Sequence, residues 1–226
     1  RFAPEAGHGG IQLGGASGAA MLLAARALVR PGRCRNVLVL GGENRLTGQS
    51  RDSSIQTLAQ VGDADFEVPN GASVPAYYAL MASEYMHRTG VTSADLAEFA
   101  VLMRANAARH PDAHLRTPIT VQEVLNAKPI ARPLSLLDCC PISDGAMALG
   151  VSAEPGPQEA VAMVGAGQAH RHQHLTAMAD VMQCGAGEAA AQAFAEAEVD
   201  QEGIDYLGIY DSFTITLVML LEEIGF

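Results

Sequence analysis

A chain of 226 residues with 49% hydrophobic and 17% charged residues can form one large domain or two small ones at about 100–200 residues per domain, and its composition excludes global disorder. Its 14 Lys+Arg against 25 Asp+Glu give a formal charge of −11, the wrong sign for capturing phosphate backbones by counterion release, which excludes nucleic acid as the expected partner. No stretch reaches the ~18 apolar residues of a membrane span, Arg1 opens no signal segment, and four cysteines without a CxxC pair predict reduced thiols in a cytoplasmic protein, with no disulfide framework and no structural zinc.

Ile11-Gln12-Leu13, the turn Gly14-Gly15-Ala16-Ser17-Gly18 and a helix-forming run over 19–30 predict strand, tight turn and helix, closed by Pro31-Gly32. Met21, Leu22, Ala24, Ala25 and Leu28 cover most of this helix's circumference, which predicts burial on nearly all sides. The apolar, β-branched run 36–40 reads as a central parallel strand ending at Gly41-Gly42. From Glu43 to about Arg132 the texture becomes helical. A polar stretch, 47–54, precedes a helix bearing Tyr77, Tyr78, Met81 and Tyr85 behind Ser73 as cap. Leu96, Phe99, Ala100, Met103 and Ala107 follow the capping box Thr92-Ser93-Ala94-Asp95, and a short helix starts at the box Thr120-Val121-Gln122-Glu123 and stops before Pro129. This predicts a helical subdomain at about 45–132, inserted in a first half that covers 1–153.

After Cys139-Cys140-Pro141 and the turn Ser143-Asp144-Gly145, strand character resumes over 146–151, and Glu154-Pro155-Gly156-Pro157 reads as a linker into a second half, 154–226. There, 160–164 is a predicted strand, 188–198 an amphipathic helix around Ala190, Phe194 and Ala197, and 206–209 another strand. The run 213–221 carries no charge before Glu222-Glu223, which predicts a second buried helix. Strand, turn and buried helix thus occur twice, without enough likeness to count as a repeat. A start at Arg1 and a stop at Ile224-Gly225-Phe226, directly after an apolar helical run, predict a fragment of a longer protein.

Several motifs invite chemistry. A nucleophile elbow at Ser17 requires glycine two residues later, where Ala19 stands; the plainer reading is a close-packed helix start capped by Ser17. Gly165-Ala166-Gly167 resembles a dinucleotide-binding turn, but His170 replaces the third glycine. His170, His172 and His174 alternate without a carboxylate or cysteine at ligand spacing, so a solvated loop outweighs a metal site. Cys139 and Cys140, flanked by Leu136, Leu137 and Pro141, favour packing over reactivity. Tyr210-Asp211-Ser212-Phe213 lies where a strand passes into a buried helix: Tyr210 is placed to support a developing oxyanion or enolate, and Asp211 to cap the helix.

Together these segments resemble the thiolase superfamily, in particular its sterol-carrier-protein and lipid-transfer branch. The resemblance rests on Gly15-Ala16-Ser17-Gly18, the strand ending Gly41-Gly42-Glu43, Pro75-Ala76-Tyr77-Tyr78-Ala79-Leu80-Met81-Ala82, Arg116-Thr117-Pro118-Ile119-Thr120, Pro133 through Ala146 with Asp138-Cys139-Cys140-Pro141 at its centre, and Tyr210-Asp211-Ser212-Phe213-Thr214. It implies a layered α/β/α/β/α fold of two similar halves, with the inserted domain covering a coenzyme A thioester. It also implies a homodimer, with no bound cofactor or metal. Gly15 stands where active thiolases carry the acylated cysteine, and without a nucleophile no acyl-enzyme forms. Family members that lack this cysteine and carry tyrosine at the position of Tyr210 are retro-aldolases acting on β-hydroxyacyl-CoA beside a small OB-fold partner. The resemblance therefore makes Tyr210, Asp211 and the Gly15 backbone the candidate catalytic groups, and Ser17, Cys140, Ser143, Gly167 and His170 the candidate contacts to the acyl-CoA. A non-catalytic acyl-CoA or lipid-binding subunit, and a true thiolase using another thiol such as Cys140, are the competing expectations.

Overall fold

The computed structural model describes residues 7–59, 61–71, 73–154, 156 and 160–226. Arg1, and Pro155 and Pro157 of the predicted linker, lie outside these. In chain order the elements are α1 (Ser17–Val29), β1 (Asn36–Asn44), α2 (Arg51–Ala59), α3 (Val74–Thr89), α4 (Ser93–Arg109), α5 (Val121–Leu125), β2 (Pro129–Ala131), β3 (Leu134–Ser135), β4 (Asp144–Ser152), α6 (Ala186–Ala197) and α7 (Thr214–Ile224). The chain divides into two compact units, Arg1–Asn44 with Ser143–Val164, and Arg45–Ile142 with Gly165–Phe226.

In the first unit β1 and β4 pair along their full length, from Asn36 opposite Ser152 to Asn44 opposite Asp144. The pairing is antiparallel, not parallel, and it runs through Gly41-Gly42 instead of ending there. An apolar β-branched run specifies a strand; the direction of its partner depends on which distant segment reaches it. α1 packs on this pair and buries Ala20, Ala25 and Val29. The predicted all-round burial is not reached: Leu28 stays 37% exposed, because a two-stranded sheet covers one face of a helix. The predicted strand at 11–13 reduces to a single bridge between Leu13 and Gly15.

The second unit holds a larger core. Ala79, Ala82 and Tyr85 of α3 meet Leu96 of α4, Leu134, and Phe213, Ile215, Val218 and Met219 at the start of α7. The Tyr78 and Phe213 rings stack at 4.4 Å. The buried Tyr85 hydroxyl donates to Glu222 at 2.7 Å, which satisfies a polar atom that would otherwise be costly to bury; burial and this carboxyl push the phenol up to about 12. Both capping boxes form as the sequence predicts. Thr92 accepts from the Asp95 amide while Asp95 accepts from the Thr92 amide, and Thr120 and Glu123 do the same for α5. Ser73 occupies the N-cap of α3 without a side-chain bond.

The predicted strands 160–164 and 206–209 carry no ladder, and Val161, Val164 and Tyr206 are exposed. Their residue types suit a pleated sheet, but a strand exists only through a neighbour that takes its backbone hydrogen bonds. Among the described residues no helix is long and apolar enough to cross a membrane.

Candidate functional site

The site of the second unit is assembled by two chain segments that run antiparallel for three residues. After β3, a 3-10 turn at Leu136–Asp138 brings Cys139 into a bridge with Phe213. The Cys140 amide then donates to the Ser212 carbonyl at 3.0 Å. Phe213, extended at φ −144, is the N-cap of α7, and no side chain caps this helix. Asp211 therefore does not cap α7 as the sequence suggested, since the N-cap is Phe213, two residues further on.

This pairing fixes Cys140 beside the Tyr210-Asp211 turn. Tyr210 is 56% exposed, yet surrounding protein, then Tyr78 and Cys140, raise its phenol above the ordinary value, so at neutral pH it holds its proton and acts as a donor. Burial, and next the Asp211 carboxyl, push the Cys140 thiol up. Burial pushes the Cys139 thiol up to about 11, and its Sγ donates to the Ser135 carbonyl at 3.2 Å. Neither is an activated nucleophile, which requires a lowered pKa. Burial also raises Asp211, giving this carboxylate more basicity than a solvated one. The arrangement thus offers a phenol donor, a protonated thiol and a carboxylate of increased proton affinity.

A cavity of about 230 Å³ opens at this point, walled by Phe99 and Met103 of α4, His114, Leu115, Cys140 and Asp211. A larger one, of about 530 Å³, lies around Met86, Leu125, Arg132 and Ser135 and reaches neither Cys140 nor Asp211. The smaller cavity is therefore the one with chemistry at its wall. Arg104 donates to the Thr117 carbonyl at 3.0 Å and ties the loop carrying His114 to α4. Sequence reasoning missed His114. Its only local signal is an imidazole in a polar loop between two capped helices, which cannot be told from a solvated histidine without the fold.

The remaining candidates have other surroundings. In the first unit, Ser17 is the first residue of α1, with Ala16 at the N-cap, so Ser17 is not the cap. Its hydroxyl instead closes the preceding turn, accepting from the Leu13 amide at 2.8 Å and donating to the Gly14 carbonyl at 2.7 Å. Gly14 takes φ +56, a left-handed conformation that favours glycine. Gly15 lies in this turn, bridged to Leu13, and Ser143 precedes β4 in the same unit. In the second unit, Gly165 and Gly167 lie against α6. A Cβ on Gly167 would overlap the Ala189 carbonyl, and one on Gly165 the Ala193 carbonyl. The amides of Ala166 and Gln168 are taken by Glu196 and Gln192 at 3.1 and 3.3 Å. These glycines serve close backbone packing. The His170 ring is 2.6 Å from the Gln168 amide group, and the His172 ring is 3.0 Å from the Gln183 carbonyl. Among the described residues no three His, Cys, Asp or Glu side chains group as metal ligands would.

Comparison with known proteins places these features. The family model described as Thiolase C-terminal domain-like matches residues 167–226, which include the Tyr210 turn and α7. The acetyl-CoA acetyltransferase of Methanocaldococcus jannaschii is 31% identical over 203 residues, covering 84% of this chain and 50% of that protein. The 17-hydroxy-3-oxo-4-pregnene-20-carboxyl-CoA lyase of Mycobacterium tuberculosis is 31% identical over 238 residues, covering 96% of this chain and 60% of that protein. The solved Ltp2-ChsH2(DUF35) aldolase matches with a TM-score of 0.77 at 30% identity, across 94% of this chain and 57% of that one. The chain spans about half the length of the curated relatives it matches. Sequence and fold agree on one lineage: the chain belongs to the thiolase superfamily and has that family's α/β fold.

Proposed function

We propose that the protein cleaves a carbon–carbon bond in a β-hydroxyacyl-CoA by a retro-aldol reaction. The observation that carries this reading is the junction at the head of α7, where a protonated phenol, Tyr210, and a carboxylate of raised basicity, Asp211, flank Cys140. Relatives named as a lyase and an aldolase support it. So does Gly15, which offers no side chain to acylate at the position the family resemblance gives to the nucleophile.

The chemistry needs no thiol. A base, here Asp211, takes the β-hydroxyl proton; the C–O bond becomes a carbonyl as the Cα–Cβ bond breaks, and the electron pair moves through Cα to the thioester oxygen as an enolate. Tyr210 donates a hydrogen bond to that oxygen. Protonation at Cα then releases acetyl- or propionyl-CoA beside an aldehyde or ketone. Cys140 lines the approach of the thioester arm as a binding contact. Because the aldolase structure joins Ltp2 to a DUF35 chain, a small OB-fold subunit of that kind is the proposed partner, alongside a second copy of the protein as a homodimer.

The test is release of a carbonyl compound and a shortened CoA ester from a β-hydroxyacyl-CoA, with the proposed partner present. Tyr210→Phe should lower kcat by about 10²–10³-fold, the usual effect of removing one oxyanion donor, while substrate still binds. Binding of the ester by the unmodified protein with no turnover would identify a non-catalytic acyl-CoA subunit instead.

A further inference from the structure

We infer that Asp138 is a positioning residue for this site, acting through Thr214 to hold Cys140 in register with the Tyr210-Asp211 turn. Its effect on turnover rests on the retro-aldol reading; its effect on Cys140 does not. Asp138 is 8% exposed and touches neither Tyr210 nor the thiol of Cys140 in any hydrogen bond described above. One oxygen, Oδ2, accepts from the Ser135 amide at 2.8 Å and the Ser135 hydroxyl at 2.7 Å. The other, Oδ1, accepts from the Thr214 hydroxyl at 3.0 Å.

The position of that last bond gives it a role beyond satisfying a buried carboxylate. Cys140 pairs with Ser212 and Cys139 with Phe213; the next rung of the same antiparallel register joins position 138 to position 214. There the side chains form a link, the Thr214 hydroxyl on the first residue of α7 donating to the Asp138 carboxylate. A pairing of two rungs is too short to hold its own register. Asp138 supplies the third: its Ser135 bonds fix the carboxylate within its own turn, and a one-residue slip between the two segments would break its bond to Thr214. Such a slip would carry Cys140 away from Ser212 and Asp211, and Asp211 away from the cavity it shares with Cys140. The family resemblance and the proposed mechanism give Asp138 no role of this kind, and the carboxylate needs no contact with substrate to fill it.

The thiol of Cys140 reports the register directly. It is exposed enough for a small alkylating agent to reach, and the neighbouring Asp211 carboxyl helps keep it protonated. Thr214→Val removes the hydroxyl at constant shape, Thr214→Ser keeps it, and Asp138→Asn weakens the acceptor at both ends. Iodoacetamide labelling of the complete protein at pH 8, mapped to Cys140 by peptide mass spectrometry, should accelerate several-fold in Thr214→Val and Asp138→Asn, as the thiol leaves the shelter of the turn and the Asp211 carboxyl. Thr214→Ser should label like the parent. On the β-hydroxyacyl-CoA substrate, kcat of Thr214→Val should fall about tenfold with KM nearly unchanged, because alignment and not affinity is lost. Parent-like labelling and kcat in a folded Thr214→Val protein would overturn the inference, as would a loss of kcat that follows loss of fold while labelling stays constant. Accelerated labelling in a protein whose parent shows no carbon–carbon cleavage would uphold the positioning role and refute the retro-aldol reading.

Discussion

Two helices of this chain, α1 and α7, start alike in sequence, each an uncharged run behind a tight turn, yet they end in different surroundings. α1 buries three residues, Ala20, Ala25 and Val29, and its entry turn closes on itself through the Ser17 hydroxyl. α7 buries Thr214, Ile215, Leu217, Val218 and Met219 and packs against α3, α4 and α6. Its entry turn is held from outside, by Cys140 on the Ser212 carbonyl and by Asp138 on Thr214. The difference shows that apolarity marks a helix as wanting cover, whereas the elements around it decide how much it receives. Only the turn with long-range partners gathers ionisable side chains from a second segment, and that is where the candidate chemistry lies.

The largest expected effect separates the two helices by stability. Leu217, 2% exposed in α7, should cost about 2–5 kcal/mol when changed to alanine, whereas Leu28→Ala in α1 should cost about 1 kcal/mol or less. Denaturant midpoints would show this, and equal losses would break the comparison. Gly167→Ala comes next, at about 1–3 kcal/mol, because its methyl group would overlap the Ala189 carbonyl on α6; an unchanged midpoint would show that the segment has room to shift. At the α1 turn, Gly14→Ala should cost about 1 kcal/mol for placing a side chain at φ +56, read as a shift in Tm, and no shift would mean that the turn relaxes freely.

The smallest effect sharpens the comparison at the far end of α7. Burial alone would raise Glu223, but the Cys184 thiol and the amides of Cys184 and Gly185, at 2.6, 3.1 and 2.9 Å, outweigh it and hold the carboxyl below its ordinary value. A depressed carboxyl adds stability above its unfolded pKa, about 4.3, and loses it as pH falls through the lower folded value. Unfolding curves between pH 6 and 3 should therefore show the advantage of the parent over Glu223→Gln shrinking as the solution is acidified. A constant gap would mean that Glu223 acts by packing alone.

Legibility followed distance along the chain. The boxes Thr92–Asp95 and Thr120–Glu123 were readable because donor and acceptor lie three residues apart. The uncharged run that became α7 was readable for its periodicity, and Tyr210 for its place before that run. The antiparallel direction of β1 was not readable, since it depends on β4, a hundred residues away. The runs 160–164 and 206–209 have strand chemistry without a ladder neighbour among the described residues. His114 became visible only when the fold brought it to the wall of a cavity beside Cys140 and Asp211, and Asp138, part of the motif block in the sequence, showed its partner Thr214 only in the fold. Asp211 was placed correctly at the turn, but its predicted capping role failed by a shift in where α7 begins.

The central claim is that bond cleavage proceeds without an acylated protein, and intact-mass analysis during turnover tests it most directly. With a β-hydroxyacyl-CoA as substrate, the protein mass should stay unchanged while carbonyl compound and shortened CoA ester appear in equal amounts. An acyl adduct on Cys140 or another thiol, formed and discharged at the rate of turnover, would contradict it and return the protein to thiolytic chemistry.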